Sequence, residues 1–137
     1  MLSSIDASDM ARSGAGGEWS IKATIPHTSW FEQEMAELLE TKEPVGSGLW
    51  GLPPDDRNAS LYAKNHEQSL NETFFDSTES FNRLVSDFET LEDIDLSDPK
   101  RYKNMPPGWV PWQIIAQNSY DHYRHHVADI SAWTSQT

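Results

Sequence analysis

Four of the five histidines in this 137-residue chain suggest shared chemistry: His122, His125 and His126 close together near one end, and His27 near the other. On a helix, His122 and His126 are four residues apart and share a face. That face is also the apolar one, because Trp112, Ile115, Ser119, His122, His126, Ile130 and Trp133 recur at spacings of three, four and seven. Imidazoles on a core-facing stripe are costly unless something satisfies their nitrogens. A divalent metal shared with a third histidine would do so. His27 is spaced with Phe31 and Leu38, so it points toward the same core. Imidazole suits zinc, nickel, iron and copper, and three histidines with an open position form a catalytic type of site. Asn118, one turn before His122, and Asp129, three residues after His126, are candidates to orient a ligand's second nitrogen. The bland alternative is an exposed histidine pair with no ligand. His125 sits beside the stripe and reads as solvent-facing, and His66 reads as a surface residue.

Weaker candidates surround this set. Tyr120 and Tyr123 are placed to hydrogen-bond a ligand, though packing at a helix edge explains them equally well. Trp19, Trp30, Trp50, Trp109, Trp112 and Trp133 are candidates for an aromatic pocket or for the core and its rim. There is no serine–histidine–acid arrangement, no phosphate-cradling glycine loop and no calcium loop. With no cysteine in the chain, disulfides, thiolate ligands and a cysteine nucleophile are excluded. A formal net charge of −12 argues against a nucleic-acid partner. The mean hydropathy of −0.67 and the lack of a long apolar run predict a soluble protein that does not enter a membrane. No basic-then-apolar leader opens the chain, so a cytoplasmic location is expected.

The elements that must position these residues read as helices. Residues 1–17 are rich in Ser, Ala, Gly and Asp and predict a flexible or short-helix segment, because Gly14, Gly16 and Gly17 disfavour a long helix. From Ser20, a plausible N-cap, Thr24, His27, Phe31, Glu34 or Met35, and Leu38 recur at helical spacing to about Thr41. Pro26 predicts a kink there, or a first turn separate from the main helix. Residues 43–60 read as a loop, with Leu49, Trp50 and Leu52 folding over something. A helix follows from the sixties to about Leu91, with Leu70, Phe74, Ser77, Phe81, Leu84, Phe88 and Leu91 as its stripe. Residues 92–111 read as a connector and Trp112 to Ser135 as the last helix. The fold class is therefore all-α, an up-down bundle of three long helices plus a short N-terminal segment.

The stretch Trp19-Ser20-Ile21-Lys22, then His27, Trp30 and Glu32, resembles the second helix of the DinB-like four-helix-bundle superfamily, which includes YfiT-like and maleylpyruvate isomerase-like proteins. Asn118-Ser119-Tyr120-Asp121-His122-Tyr123, with His126, Ile130 and Trp133, resembles the last helix of one DinB-like branch and is similar in spacing to the ClbS/DfsB proteins. The resemblance covers roughly residues 14–137 and implies a bundle domain over 18–137. The family's metal triad then falls on His27, His122 and His126. It implies a divalent metal, most often zinc or nickel, and a chemistry that is thiol-dependent transfer or isomerisation, with a low-molecular-weight thiol, or hydrolytic detoxification. Fold and triad do not choose among these. Two departures stand out. The family's long first helix has only a short stub here, which implies a misplaced gene start or an open face filled by a second subunit, hence a homodimer. Pro26 lies directly before the first ligand, where a kink would move His27 out of reach.

Two functions follow as expectations. One is a metal-dependent enzyme acting on a small-molecule substrate. The alternative is a non-catalytic protein that binds or sequesters a hydrophobic small molecule, its histidines satisfied by side chains or water.

Overall fold

The structure, a computed structural model, describes residues 5–16 and 19–135. Gly17 and the Trp19 side chain, both singled out in the sequence, lie outside what is described. The elements run α1 (Ala7–Met10), β1 (Ser13–Gly16), β2 (Trp19–Ser20), α2 (Ile21–Thr41), α3 (Pro54–Asn65), α4 (Leu70–Glu89), α5 (Asp93–Ser97), α6 (Pro111–Gln117) and α7 (Tyr120–Thr134). Short 3-10 turns occupy Gly48–Gly51 and Pro99–Arg101. The fold is an all-α helical bundle, as the sequence predicts. The one ribbon among the described residues is the antiparallel β1–β2 pair, with Ser13 opposite Ser20 and Gly16 opposite Trp19. Among the described residues no helix is long and apolar enough to cross a membrane.

Helix α2 is the central element. Ser20 caps it, its hydroxyl accepting from the Ala23 amide at 3.0 Å. This satisfies one of the donors that a helix start leaves without a partner. The predicted face of Thr24, His27, Phe31, Met35 and Leu38 is buried throughout. Ile21, Ile25, Ser29, Glu32, Ala36 and Leu39 are buried too, so α2 is enclosed over most of its circumference. Pro26 does not split the helix, which is continuous from Ile21 to Thr41. Lys42 ends it in the left-handed region at φ 55°, its amide donating to the Leu38 carbonyl at 2.9 Å.

Helix α4 lies along α2, α3 packs on α2 from another side, and α7 meets α2, α6 and β1. The main core gathers Met35, Leu38 and Leu39 of α2, Leu84 of α4, Ile115 of α6, and Tyr102 and Met105 from the connector. A second cluster joins Met10, Ile21 and Ile130. The connector is therefore structural. Tyr102 donates to the Asp95 carbonyl at 2.9 Å, and the buried Asp95 carboxylate takes Arg101 at 2.9 Å and the Glu92 amide at 2.9 Å.

Four local expectations are corrected. The loop expected over 43–60 ends early, because α3 begins at Pro54; proline at the first position and Asp55 and Asp56 in the first turn are helix-start chemistry. The helix expected from the sixties to Leu91 is preceded by a break, and Ser69 caps α4 by accepting from the Glu72 amide at 3.1 Å. The last helix is interrupted at Asn118–Ser119, where Asn118 and Ser119 bond back to the Ile114 and Ile115 carbonyls. Such back-bonding competes with the regular helical ladder. Finally, Phe81 and Trp112 sit on the predicted stripes but are 49 % and 47 % exposed.

Candidate metal centre

Helix α2 presents His27 inward, and α7 presents His122 and His126 one turn apart. The His27 Nε2 atom lies 3.1 Å from His122 Nε2, and His126 Nε2 lies 2.9 Å from the same nitrogen. The three rings stand steeply to one another, with centroids 4.9, 5.1 and 4.5 Å apart and interplanar angles of 69°, 81° and 65°. The structure thus brings together the three residues that the sequence selects, and Pro26 does not keep His27 away. Within this set, one ligand atom from each residue lies within 4.8 Å of the others.

Protons alone do not account for this convergence. An imidazole nitrogen carries in its ring plane either one N–H or one lone pair. His122 Nε2 can therefore make one good hydrogen bond, yet it has two nitrogens at hydrogen-bond distance. A cation at the common point reconciles all three lone pairs. Bonds of about 2.0–2.1 Å at angles near 90–110° put ligand nitrogens roughly 2.9–3.4 Å apart, which matches the two separations to His122 Nε2. The donor set fits a divalent ion.

Electrostatics agree. Burial, then the neighbouring His122 and His126, then Arg57, bring the His27 pKa down to about 3, with the Asn58 side chain opposing. Burial, then His126, His125 and Arg57, bring His122 to about 4. Burial and then His125 lower His126, with Asp129 opposing. All three imidazoles are therefore neutral at pH 7, the form that binds a metal.

The surroundings come partly from residues that sequence reasoning missed. The Phe31 ring stands edge-to-face with His27 and His122, its centroid 5.1 and 4.6 Å from theirs. Trp50, from the loop before α3, packs 4.8 Å from Trp30 and 5.5 Å from Phe31, so this loop does fold over the site. Gly46 permits that approach: its φ is +67°, and a Cβ there would lie 2.6 Å from Trp50 Cδ1. The Arg57 guanidinium lies over Trp30, Phe31 and Trp50, at 5.8, 5.5 and 5.4 Å from the ring centroids. Arg57 and Asn58 stand on the helix that was read as loop.

On the α7 side, the Tyr123 hydroxyl donates to Glu32 Oε2 at 2.7 Å. Glu32 is 3 % exposed, and burial raises its pKa to about 6 against the pull of that hydrogen bond. Glu32 appeared in the sequence only as part of a motif; a charged residue one position past the buried Phe31 was the available signal. The other sequence candidates lie elsewhere. Asn118 Nδ2 donates to the Ile114 carbonyl at 2.8 Å, and Asp129 stands 3.7 Å from His125, which is exposed. His66 is also exposed and stacks on Tyr62.

No curated protein and no solved structure matches this chain. The family model of the DinB superfamily, by contrast, matches residues 1–130. Over nearly the whole of its length, then, the chain belongs to the DinB superfamily.

Proposed function

We propose that this protein is a divalent-metal-dependent enzyme acting on a small molecule, with the ion held by the Nε2 atoms of His27, His122 and His126. One observation carries the reading: the Nε2 atoms of His27 and His126 lie 3.1 and 2.9 Å from His122 Nε2, whose single in-plane position can serve only one of them well. Zinc and nickel are the leading ions. When bound, such an ion supplies Lewis acidity, lowering the pKa of a water or thiol and polarising an electrophile. The reaction class within this reading is thiol-dependent transfer or isomerisation, or hydrolysis of a reactive electrophile.

The chain's own groups have definable roles. Burial keeps the triad unprotonated at neutral pH. The Trp30, Phe31 and Trp50 rings keep water from one side, and the guanidinium of Arg57 over them adds a positive field beside the centre. Glu32 is a carboxyl that can hold or release a proton near neutrality, with Tyr123 fixing one of its oxygens.

The test is the metal content of untagged protein by elemental mass spectrometry, beside the His122→Ala/His126→Ala double variant. The expected result is near-stoichiometric zinc or nickel that the variant loses. Folded parent that stays metal-free after reconstitution overturns the reading. It would move weight to the non-catalytic binder, which the tryptophan-lined side of the site favours and which ligand-dependent tryptophan fluorescence would reveal.

A further inference from the structure

Between α2, α4 and α7 lies a cleft of ≈ 440 Å³. Ile25, Phe81 and Val127 give it apolar walls, and Glu32, Tyr123 and His126 line it as well. Its size falls in the range of small-molecule sites, roughly 300–1,000 Å³. It reaches His126, so it opens onto the histidine cluster.

The carboxylate decides what it can hold. Glu32 is 3 % exposed, yet no lysine or arginine is among the described residues lining the cleft. Its one hydrogen bond among the described residues is the 2.7 Å bond from Tyr123 to Oε2. Oε1 is not among the sealed side-chain atoms that lack a partner. It therefore keeps an opening, and Glu32 is one of the residues that line this cleft. A buried carboxylate without a cation is costly to a fold, and it repays that cost only where something is to be recognised or moved. The hydrophobic walls ask for hydrocarbon. The free oxygen asks for a donor, and it repels another anion.

We propose that this cleft is where the substrate of the centre lies, and that the substrate is a mostly hydrocarbon, non-anionic molecule whose hydrogen-bond-donating head meets Glu32 Oε1. Tyr123 is a positioning residue: it holds Oε2 so that Oε1 faces the cleft. Calling the occupant a substrate rests on the metal-enzyme reading, whereas its binding and its selectivity do not.

Two probes with one hydrocarbon body make the test: phenylbutanol, which ends in a hydroxyl, and phenylbutyrate, which ends in a carboxylate. Binding is followed by methyl NMR of Val127 and Ile130. Phenylbutanol is expected to shift these signals, with phenylbutyrate weaker by about tenfold or more, as like-charge exclusion implies. Glu32→Gln keeps the shape and should remove most of the discrimination. Val127→Trp, at a site 47 % exposed and therefore tolerant of a larger side chain, should fill the cleft and weaken both probes. Equal binding of the two probes, or a ratio unchanged in Glu32→Gln, overturns the proposal. So do shifts confined to the separate groove beside Trp50 and Trp109. Metal content measured on the same samples separates the two ideas: metal-replete protein that ignores phenylbutanol refutes the cleft alone, and metal-free protein that discriminates the probes refutes the metal centre alone.

Discussion

Acidifying the metal-free protein from pH 7 to pH 5.5 should remove about 2 kcal/mol of folding stability. The loss comes from the histidine cluster. Burial and mutual repulsion hold His27 at about 3 and His122 at about 4. In an unfolded chain both titrate near 6.5. Between those values the unfolded chain binds protons that the folded chain refuses. Stability is therefore fully present above about pH 6.5 and falls as the pH drops toward the folded-state values. Moving from pH 7 to 5.5 costs about 1.2 kcal/mol for each such imidazole, or roughly 2.5 kcal/mol for the pair. His126, lowered by burial and His125, adds in the same direction. Glu32 acts the other way. Its folded-state pKa, raised by burial to about 6, means that the folded chain gains a proton first, which returns roughly 0.7 kcal/mol over the same interval. Urea unfolding of chelator-treated protein at the two pH values measures the difference, with the m-value checking that both transitions are alike. The His27→Gln/His122→Gln double variant should lose most of the pH slope. Stability that is flat or rises on acidification in the parent would refute the picture of two buried neutral imidazoles, as would an unchanged slope in the variant.

Three further outcomes follow from particular contacts. Gly46→Ala meets both a positive φ and the Trp50 ring, so it should cost about 1 kcal/mol or more and displace Trp50 from Trp30, seen as a change in near-ultraviolet circular dichroism; an unchanged spectrum would show that the loop does not depend on that approach. Tyr123→Phe removes the bond that lowers the Glu32 pKa, so an NMR titration should find the Glu32 carboxyl midpoint moved upward; a midpoint that stays put or falls would contradict the pairing. Leu84→Ala empties a site 1 % exposed at the centre of the main core and should cost 2–5 kcal/mol in chemical unfolding; a loss under about 1 kcal/mol would mean that the core collapses around it.

The parts that were legible in the sequence were those written as periodicity. Thr24, His27, Phe31, Met35 and Leu38 mark one face of α2, and every one of them is buried. His122 and His126 ride on a helical period too, and the resemblance to the DinB-like superfamily joins His27 to them as a triad. Helix α3 was illegible because Pro53, Pro54, Asp55 and Asp56 serve equally as turn residues and as a helix start, and because Leu61 is its single buried residue. With α3 unread, Arg57 and Asn58 could not be placed beside His27. The interruption at Asn118–Ser119 was hidden because the apolar spacing runs straight through it. Phe81 shows the converse error: a residue in the right period is 49 % exposed because it borders an open cleft rather than a packed core. Glu32 and Tyr123 are 91 residues apart, and no local pattern links a hydroxyl to a carboxylate at that separation.

The two histidines of α7 and the one of α2 also stand at the ends of a very long stretch of chain: 95 residues separate His27 from His122. A cation gripping both helices is a cross-link, and in a chain without cysteine it takes the part a disulfide would otherwise play. Its effect should fall unevenly. The core shared by α2, α4 and the connector does not involve the triad, whereas α7 holds to α2 through Ile130, the histidines and the Tyr123–Glu32 bond. Removing the ion should therefore loosen the C-terminal helix well before the remainder melts, and amide exchange should show α7 opening on its own. On the proposed reading, a bound ion would then also be the clasp that joins the C-terminal helix to the rest of the bundle.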